Sequence, residues 1–77
     1  MISERLKRVI LAQLKLDDFL IEDSTRAPQV PGWDSLSHVR ILAATEEEFH
    51  VRFKSLEVLR LKTVGDLQAL VDRKTGG

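Results

Sequence analysis

The sequence predicts an all-α domain, a bundle of three longer helices and one short helix with an unusually long first loop. Three observations predict it. Apolar residues recur every three to four positions in three separate stretches, the spacing that lines one face of a helix. No stretch alternates apolar and polar residues over the length of a strand, so no sheet is expected. Each helical stretch is preceded by a Ser, Thr or Asp placed to receive the free N–H groups of a first turn.

Ser3 can cap a first helix in which Leu6, Val9, Ile10 and Leu14 share the inner face while Glu4, Arg5, Lys7, Arg8 and Lys15 point outward. From Leu16 to Trp33 the pattern lapses. Structureless connections longer than about 12 to 15 residues are uncommon in compact domains, so Phe19, Leu20, Ile21 and Val30 are expected to tuck into the core and hold this one in order. Asp23-Ser24-Thr25 and Pro28 supply turn chemistry, and Pro31-Gly32 sets a sharp approach to the second helix. That helix, residues 36–50, carries Leu36, Val39, Leu42, Ala43 and Phe49 at helical spacing. Ser35 stands where connector becomes helix, and either it or Asp34 can accept a bond from the first turn. His50-Val51-Arg52-Phe53 is a bridge with Phe53 buried. Ser55 then caps a brief helix, Leu56 to Leu61, whose Leu56, Leu59 and Leu61 are expected to close over the core. Thr63-Val64-Gly65-Asp66 has the spacing of a capping box, with Asp in place of Glu, and opens a last helix with Val64, Leu67, Leu70 and Val71 inward. Residues 1–77 read as one domain, with Thr75-Gly76-Gly77 as a flexible tail.

With 77 residues the core is marginal, since a chain this short buries only about 60% of the surface it exposes when unfolded. A body of this size does not enclose a deep active site. The absence of cysteine excludes a disulfide framework and a thiolate metal site, and leaves the chain no thiol of its own for acyl transfer. Twelve basic residues balance twelve acidic ones, which argues against a nucleic-acid partner, since such domains carry a basic excess. Met1-Ile2-Ser3-Glu4-Arg5 lacks the apolar core of a signal peptide, and nowhere do about 18 apolar residues run together. A soluble, cytoplasmic monomer without membrane insertion is expected.

Pro31-Gly32-Trp33-Asp34-Ser35-Leu36-Ser37-His38-Val39, then Glu46-Glu47-Glu48-Phe49, then Thr63-Val64-Gly65-Asp66-Leu67 resembles the acyl carrier protein family over nearly the full chain. The resemblance implies a four-helix bundle of the acyl-carrier type, and it implies that the serine of Asp-Ser-Leu carries phosphopantetheine, taken from coenzyme A, through a phosphodiester. That serine is Ser35. The implied function is to hold an acyl intermediate as a thioester on the arm and present it to enzymes, here in a specialised biosynthetic pathway. Implied partners are a phosphopantetheinyl transferase, an acyl- or aminoacyl-loading enzyme, and acyltransferase or synthase clients, with Asp34 and Leu36 as contacts for them. The chain departs from the family in charge, because housekeeping members are strongly acidic. His38 and Arg40 stand where the family often has acidic residues, and cations near a helix N-terminus sit at the wrong end of its dipole. Glu46, Glu47 and Glu48 are likewise unfavourable near a C-terminus. Both sets read as partner contacts on one exposed face; plain solvation is the alternative for the three glutamates.

Other readings compete for the same residues. Asp34, Ser35 and His38 supply the residue types of a hydrolytic triad, but no glycine follows two places after the serine to form a nucleophile elbow, and the bundle has no room for a substrate pocket. The chain is therefore expected not to be an enzyme. Glu46 and His50, four apart on one helical face, provide at most half a metal site. Gly76-Gly77 matches the ending of ubiquitin-like modifiers, which need a sheet this sequence does not predict. A helical interaction module in which Ser35 is only a cap remains the serious alternative to a carrier. Ala43-Ala44-Thr45 bears on cargo: a buried, unpaired Thr45 hydroxyl costs about 1 to 3 kcal/mol and disfavours a sheltered alkyl chain, so a short or polar acyl group, such as a hydroxyacyl or aminoacyl unit, is expected, exposed on its arm; the alternative is a Thr45 that faces solvent or bonds back to the Ile41 carbonyl, with no such effect.

Overall fold

The computed structural model describes residues 1–76, and within them the chain forms four α-helices: α1 (Glu4–Leu14), α2 (Ser35–Phe49), α3 (Ser55–Leu59) and α4 (Val64–Thr75). Three are long and the third is short, as expected. Ser3 caps α1, its hydroxyl accepting the Leu6 N–H at 3.2 Å. The helix stops at Lys15, which turns left-handed (φ 58°) and returns its N–H to the last turn. Leu6, Ile10 and Leu11 are buried against Ile41 of α2 and against Val64, Leu67 and Val71 of α4, in one core that also takes Ile21 from the loop.

The long loop is ordered by contacts made at a distance in sequence. Ile21 and Val30 are buried and Phe19 packs on the core, but Leu20 is 73% exposed instead of tucked in. Neighbouring residues of an extended segment point to opposite sides, so Leu20 faces out because Phe19 and Ile21 face in. A short 3₁₀ turn, Ala27–Gln29, carries Pro28. The loop is clamped to the start of α4: the Val64 N–H donates to the Thr25 carbonyl at 2.8 Å and the Gly65 N–H to the Asp23 carbonyl at 2.9 Å. Gly65 is required there, since a Cβ would lie 2.7 Å from the Asp23 carbonyl oxygen.

In α2 the residues buried are Ile41 and Thr45, with Leu42 and Phe49 half-buried against the core. Leu36, Val39 and Ala43, expected on the inner face, are exposed. The helix is apolar on more than one side, so periodicity alone fits two orientations, and the packing of α1 and α4 selects the one centred on Thr45.

The short helix begins a residue earlier than expected and ends at Leu59. Ser55 is its first residue and not its cap; the Lys54 N–H is instead received by the Glu57 carboxylate at 2.8 Å. Leu61 packs on the core from the following connector, but Leu56 and Leu59 are 70% and 77% exposed and do not close over it. The capping box of α4 forms as its spacing predicts: Thr63 Oγ1 accepts the Asp66 N–H and Asp66 Oδ2 accepts the Thr63 N–H, both at 3.1 Å. α4 extends through Thr75 and is capped by Gly76 (φ 77°), so these two residues, expected in a flexible tail, belong to the helix and its cap; Gly77 lies outside the described residues.

Candidate functional site

The approach to α2 is a run of residues with distinct tasks. Gly32 adopts φ 82°, a conformation glycine takes without steric cost, and lets the chain swing into the helix. Asp34 is the cap: its carboxylate accepts the Ser37 N–H at 2.8 Å. That bond holds the Asp34 carboxyl below the usual carboxylate range. The Ser37 hydroxyl donates back to the Gly32 carbonyl at 2.9 Å, closing the turn from the other side.

Ser35 is left over. It is the first residue of α2 and exposed, and among the described residues no hydrogen bond engages its hydroxyl. Sequence reasoning left the cap to either Asp34 or Ser35; the structure gives it to Asp34, so Ser35 is not a helix cap. A phosphate on this hydroxyl would lie at the positive end of the helix dipole, beside first-turn N–H groups.

Trp33 and His38 form a pair that sequence reasoning did not connect. The indole Nε1–H donates to His38 Nδ1 at 3.1 Å, with the rings 6.1 Å apart. The two rings wall a cavity of about 50 Å³ completed by Ala27, Leu61, Val64 and Leu67. At ~30 Å³ per water this space holds one or two water molecules, not an extended alkyl chain.

His38 and Arg40 therefore do not share an exposed face. His38 is half-buried toward the loop, and Arg40 is exposed on the far side of the helix. The three glutamates are also separated. Glu46 reaches across the bridge and accepts the Phe53 N–H at 2.7 Å. Glu48 accepts from Arg5 Nε at 3.0 Å, while the Arg5 guanidinium lies 4.6 Å over the Phe49 ring, joining α1 to α2. Only Glu47 stays outside such a network, exposed on the same stripe as Leu36 and Arg40.

The residue types of a triad are present without its connections, since Asp34 bonds the Ser37 N–H and His38 bonds Trp33. Glu46 and His50 do not form a metal site: among the described residues no three metal-ligating side chains gather. Among the described residues no helix is long and apolar enough to cross a membrane. Thr45 is fully buried and its hydroxyl donates to the Ile41 carbonyl at 2.7 Å. The hydroxyl is thus paired within its own helix, and the penalty expected from an unpaired one does not arise. Thr45 carries no information on cargo.

A small helical bundle that presents a serine at an exposed helix start, its hydroxyl without a hydrogen bond among the described residues, has the form of a protein that displays a group. The comparisons give that form its family. No family model matches the chain, but it is 31% identical over 75 residues to the acyl carrier protein of Aster yellows witches'-broom phytoplasma (strain AYWB), covering 97% of this chain and 99% of that one. The fold is similar to the solution structure of a holo acyl carrier protein from Geobacter metallireducens, with a TM-score of 0.87 at 32% identity over 92% of this chain and 82% of that one. A 44-residue segment is 39% identical to part of a nonribosomal peptide synthetase, easA, of Emericella nidulans, covering 57% of this chain and 1% of that one. The chain belongs to the acyl carrier protein family, whose prosthetic group is phosphopantetheine.

Proposed function

We propose that this protein holds an acyl intermediate as a thioester on a phosphopantetheine arm attached to Ser35, and presents it to enzymes of a specialised biosynthetic pathway. The observation that carries this reading is the free Ser35 hydroxyl: because Asp34 does the capping, Ser35 can be modified without dismantling the helix start. In the loading step Ser35 Oγ attacks the β-phosphorus of coenzyme A. The new O–P bond replaces the bond to 3′,5′-ADP, which leaves, and the hydroxyl proton passes to a base of the transferase. When bound, the arm supplies the thiol that the cysteine-free chain lacks.

The chain's own residues hold and display. Asp34 fixes the first turn of α2, Gly32 and Ser37 fix the approach, and the helix N-terminus favours the phosphodiester charge. Leu36 and Arg40, exposed beside Ser35, meet the transferase and client enzymes, with Glu47 further along the same stripe. His38, Glu46 and Glu48 act on partners through the shape they hold, since each is engaged within the chain. The protein catalyses no step, works as a single domain, and is a cytoplasmic monomer. The partial likeness to a nonribosomal peptide synthetase supports a specialised pathway over a housekeeping one.

Incubation of the full chain with coenzyme A and a broad-specificity phosphopantetheinyl transferase should add one phosphopantetheine mass to the wild type and none to Ser35→Ala. An unmodified wild type, or a modified alanine variant, overturns the assignment.

A further inference from the structure

Ser35 is bridged by three side-chain hydrogen bonds in which it takes no part. They join residues before it to residues after it: the Ser37 hydroxyl to the Gly32 carbonyl at 2.9 Å, the Ser37 N–H to the Asp34 carboxylate at 2.8 Å, and the Trp33 indole to His38 Nδ1 at 3.1 Å. The first two rest on groups that keep their charge near neutrality, the Asp34 carboxyl being held below its usual range. The third ends on an imidazole. An indole N–H can only donate, so this bond requires a lone pair on the histidine, and an imidazolium has two donors and no acceptor. Histidine is the side chain that ordinarily changes charge between about pH 5 and 8. One of the three braces can therefore be released by a proton.

The surroundings of His38 decide what that proton meets. The ring is half-buried beside Trp33, over a small cavity lined from the loop, the connector after α3 and the start of α4 by Ala27, Leu61, Lys62, Thr63, Val64 and Leu67. Of these only Lys62 carries charge, and it opposes an imidazolium. Arg26, next to Ala27, is exposed and of the same sign. Asp66 of α4 is spent on the Lys62 and Thr63 N–H groups. On α2 itself the positive end of the helix dipole is a further poor place for a cation, and Arg40 is exposed on the far side. The carboxylate one turn before His38 is Asp34, at the spacing where side chains of a helix meet. It is the cap, already holding the Ser37 N–H. A protonated His38 thus loses Trp33, and the one attraction left to it is toward the group that starts the helix.

We infer that Trp33 and His38 form a proton-released latch that positions Ser35, closed while His38 is neutral and opened when the ring takes a proton from solvent. On opening, the Nδ1 lone pair becomes an N–H and the indole N–H turns to water. The approach to α2 is then held by the two Ser37 bonds alone. Both are positioning residues, since among the described residues neither bonds the Ser35 hydroxyl. The purpose of the latch rests on the carrier reading; its existence does not.

The test begins with the ¹⁵N-labelled full chain, whose single tryptophan gives one indole N–H resonance. Between about pH 8 and about pH 5 that resonance should move together with the His38 ring signals. It should stay fixed in His38→Asn, whose amide oxygen stands in for Nδ1 without titrating, and should move as in the wild type in His50→Asn, at the other end of α2. The second readout is transfer of phosphopantetheine from coenzyme A by a broad-specificity transferase, taken as the ratio of wild type to His38→Asn so that the enzyme's own pH profile cancels. The ratio of KM values should rise about fivefold toward the acid end, the worth of one hydrogen bond, with kcat values level. Trp33→Phe, which keeps a ring but has no N–H, should show the raised KM at every pH. An indole resonance that ignores the His38 titration, one that still moves in His38→Asn, or a KM ratio flat with pH overturns the inference. Ser35 left unmodified at every pH breaks the carrier assignment instead, and the indole titration then decides the latch by itself.

Discussion

α3 and α4 are consecutive helices that use leucine in opposite ways. In α4, Leu67 and Leu70 are each 3% exposed and lie among Val64, Gln68 and Val71, all buried. In α3 no residue is buried, and both leucines face water. Burial accounts for α4, whereas α3 is held at its ends. Its five residues are far below the ~12 to 15 at which an isolated helix becomes marginal, so it persists because Glu57 receives the Lys54 N–H and pairs with Lys74 of α4, and because Leu61 anchors the chain that leaves it. A helix can thus be fastened to the bundle without giving it any core, and what it displays is then free to serve another purpose.

The comparison breaks most directly at Leu67. Truncating a fully packed leucine removes its transfer free energy and leaves a cavity, together about 2 to 5 kcal/mol. Leu67→Ala should therefore lower stability by that amount in urea unfolding, a large share of what a domain of this size possesses. A loss below about 1 kcal/mol would mean that α4 is not the core helix described here.

Much of this division was legible in the sequence, and the failures have a common cause. α1 and α4 carry one apolar stripe each and their caps are local, so Ser3 and the Thr63/Asp66 box could be read within a few residues. α2 has Leu36, Val39, Ile41, Leu42 and Ala43 spread around its axis, and which side turns inward depends on helices that no local pattern describes. α3 spans too little chain for a period to indicate a face, so its leucines read as core. The site divides in the same way. Asp-Ser-Leu and the helix start were visible, and with them Ser35. That Glu48 is spent on Arg5, 43 residues away, was not. Nor was the Trp33–His38 bond: although the two are five apart, their meeting depends on how Pro31-Gly32 bends the chain. The Thr45 hydroxyl was expected to be unpaired and to favour a short or polar cargo; it bonds the Ile41 carbonyl instead, as helical threonines often do, and that expectation falls.

A second and smaller effect is expected where α4 meets the loop. Gly65 donates its N–H to the Asp23 carbonyl, and an added methyl would meet that same oxygen at 2.7 Å. Alanine gains up to about 1 kcal/mol over glycine in helix propensity, but here the obstacle is backbone and cannot rotate away. Overpacking of this kind costs about 1 to 3 kcal/mol, so Gly65→Ala should be destabilising on balance. Thermal unfolding measures the net loss, and faster hydrogen exchange at Val64 and Gly65 would locate it at the clamp. A gain in melting temperature would show that the loop can give way, and that its order does not depend on α4.

The smallest effect on stability is expected at Leu59, and that is what makes it informative. With its side chain 77% exposed, Leu59→Ala forfeits little burial, and alanine is the better helix former, so unfolding should shift by no more than about 0.5 kcal/mol. Adding Leu56→Ala, 70% exposed, should again leave stability level, whereas Leu67→Ala, in the helix that follows, should lower it. Stability would then separate between two helices joined by a four-residue connector, residues 60–63. If Leu59→Ala instead destabilises by 2 kcal/mol or more, a core leucine's share, the exposed position assigned to α3 is wrong, and its leucines belong to the fold after all.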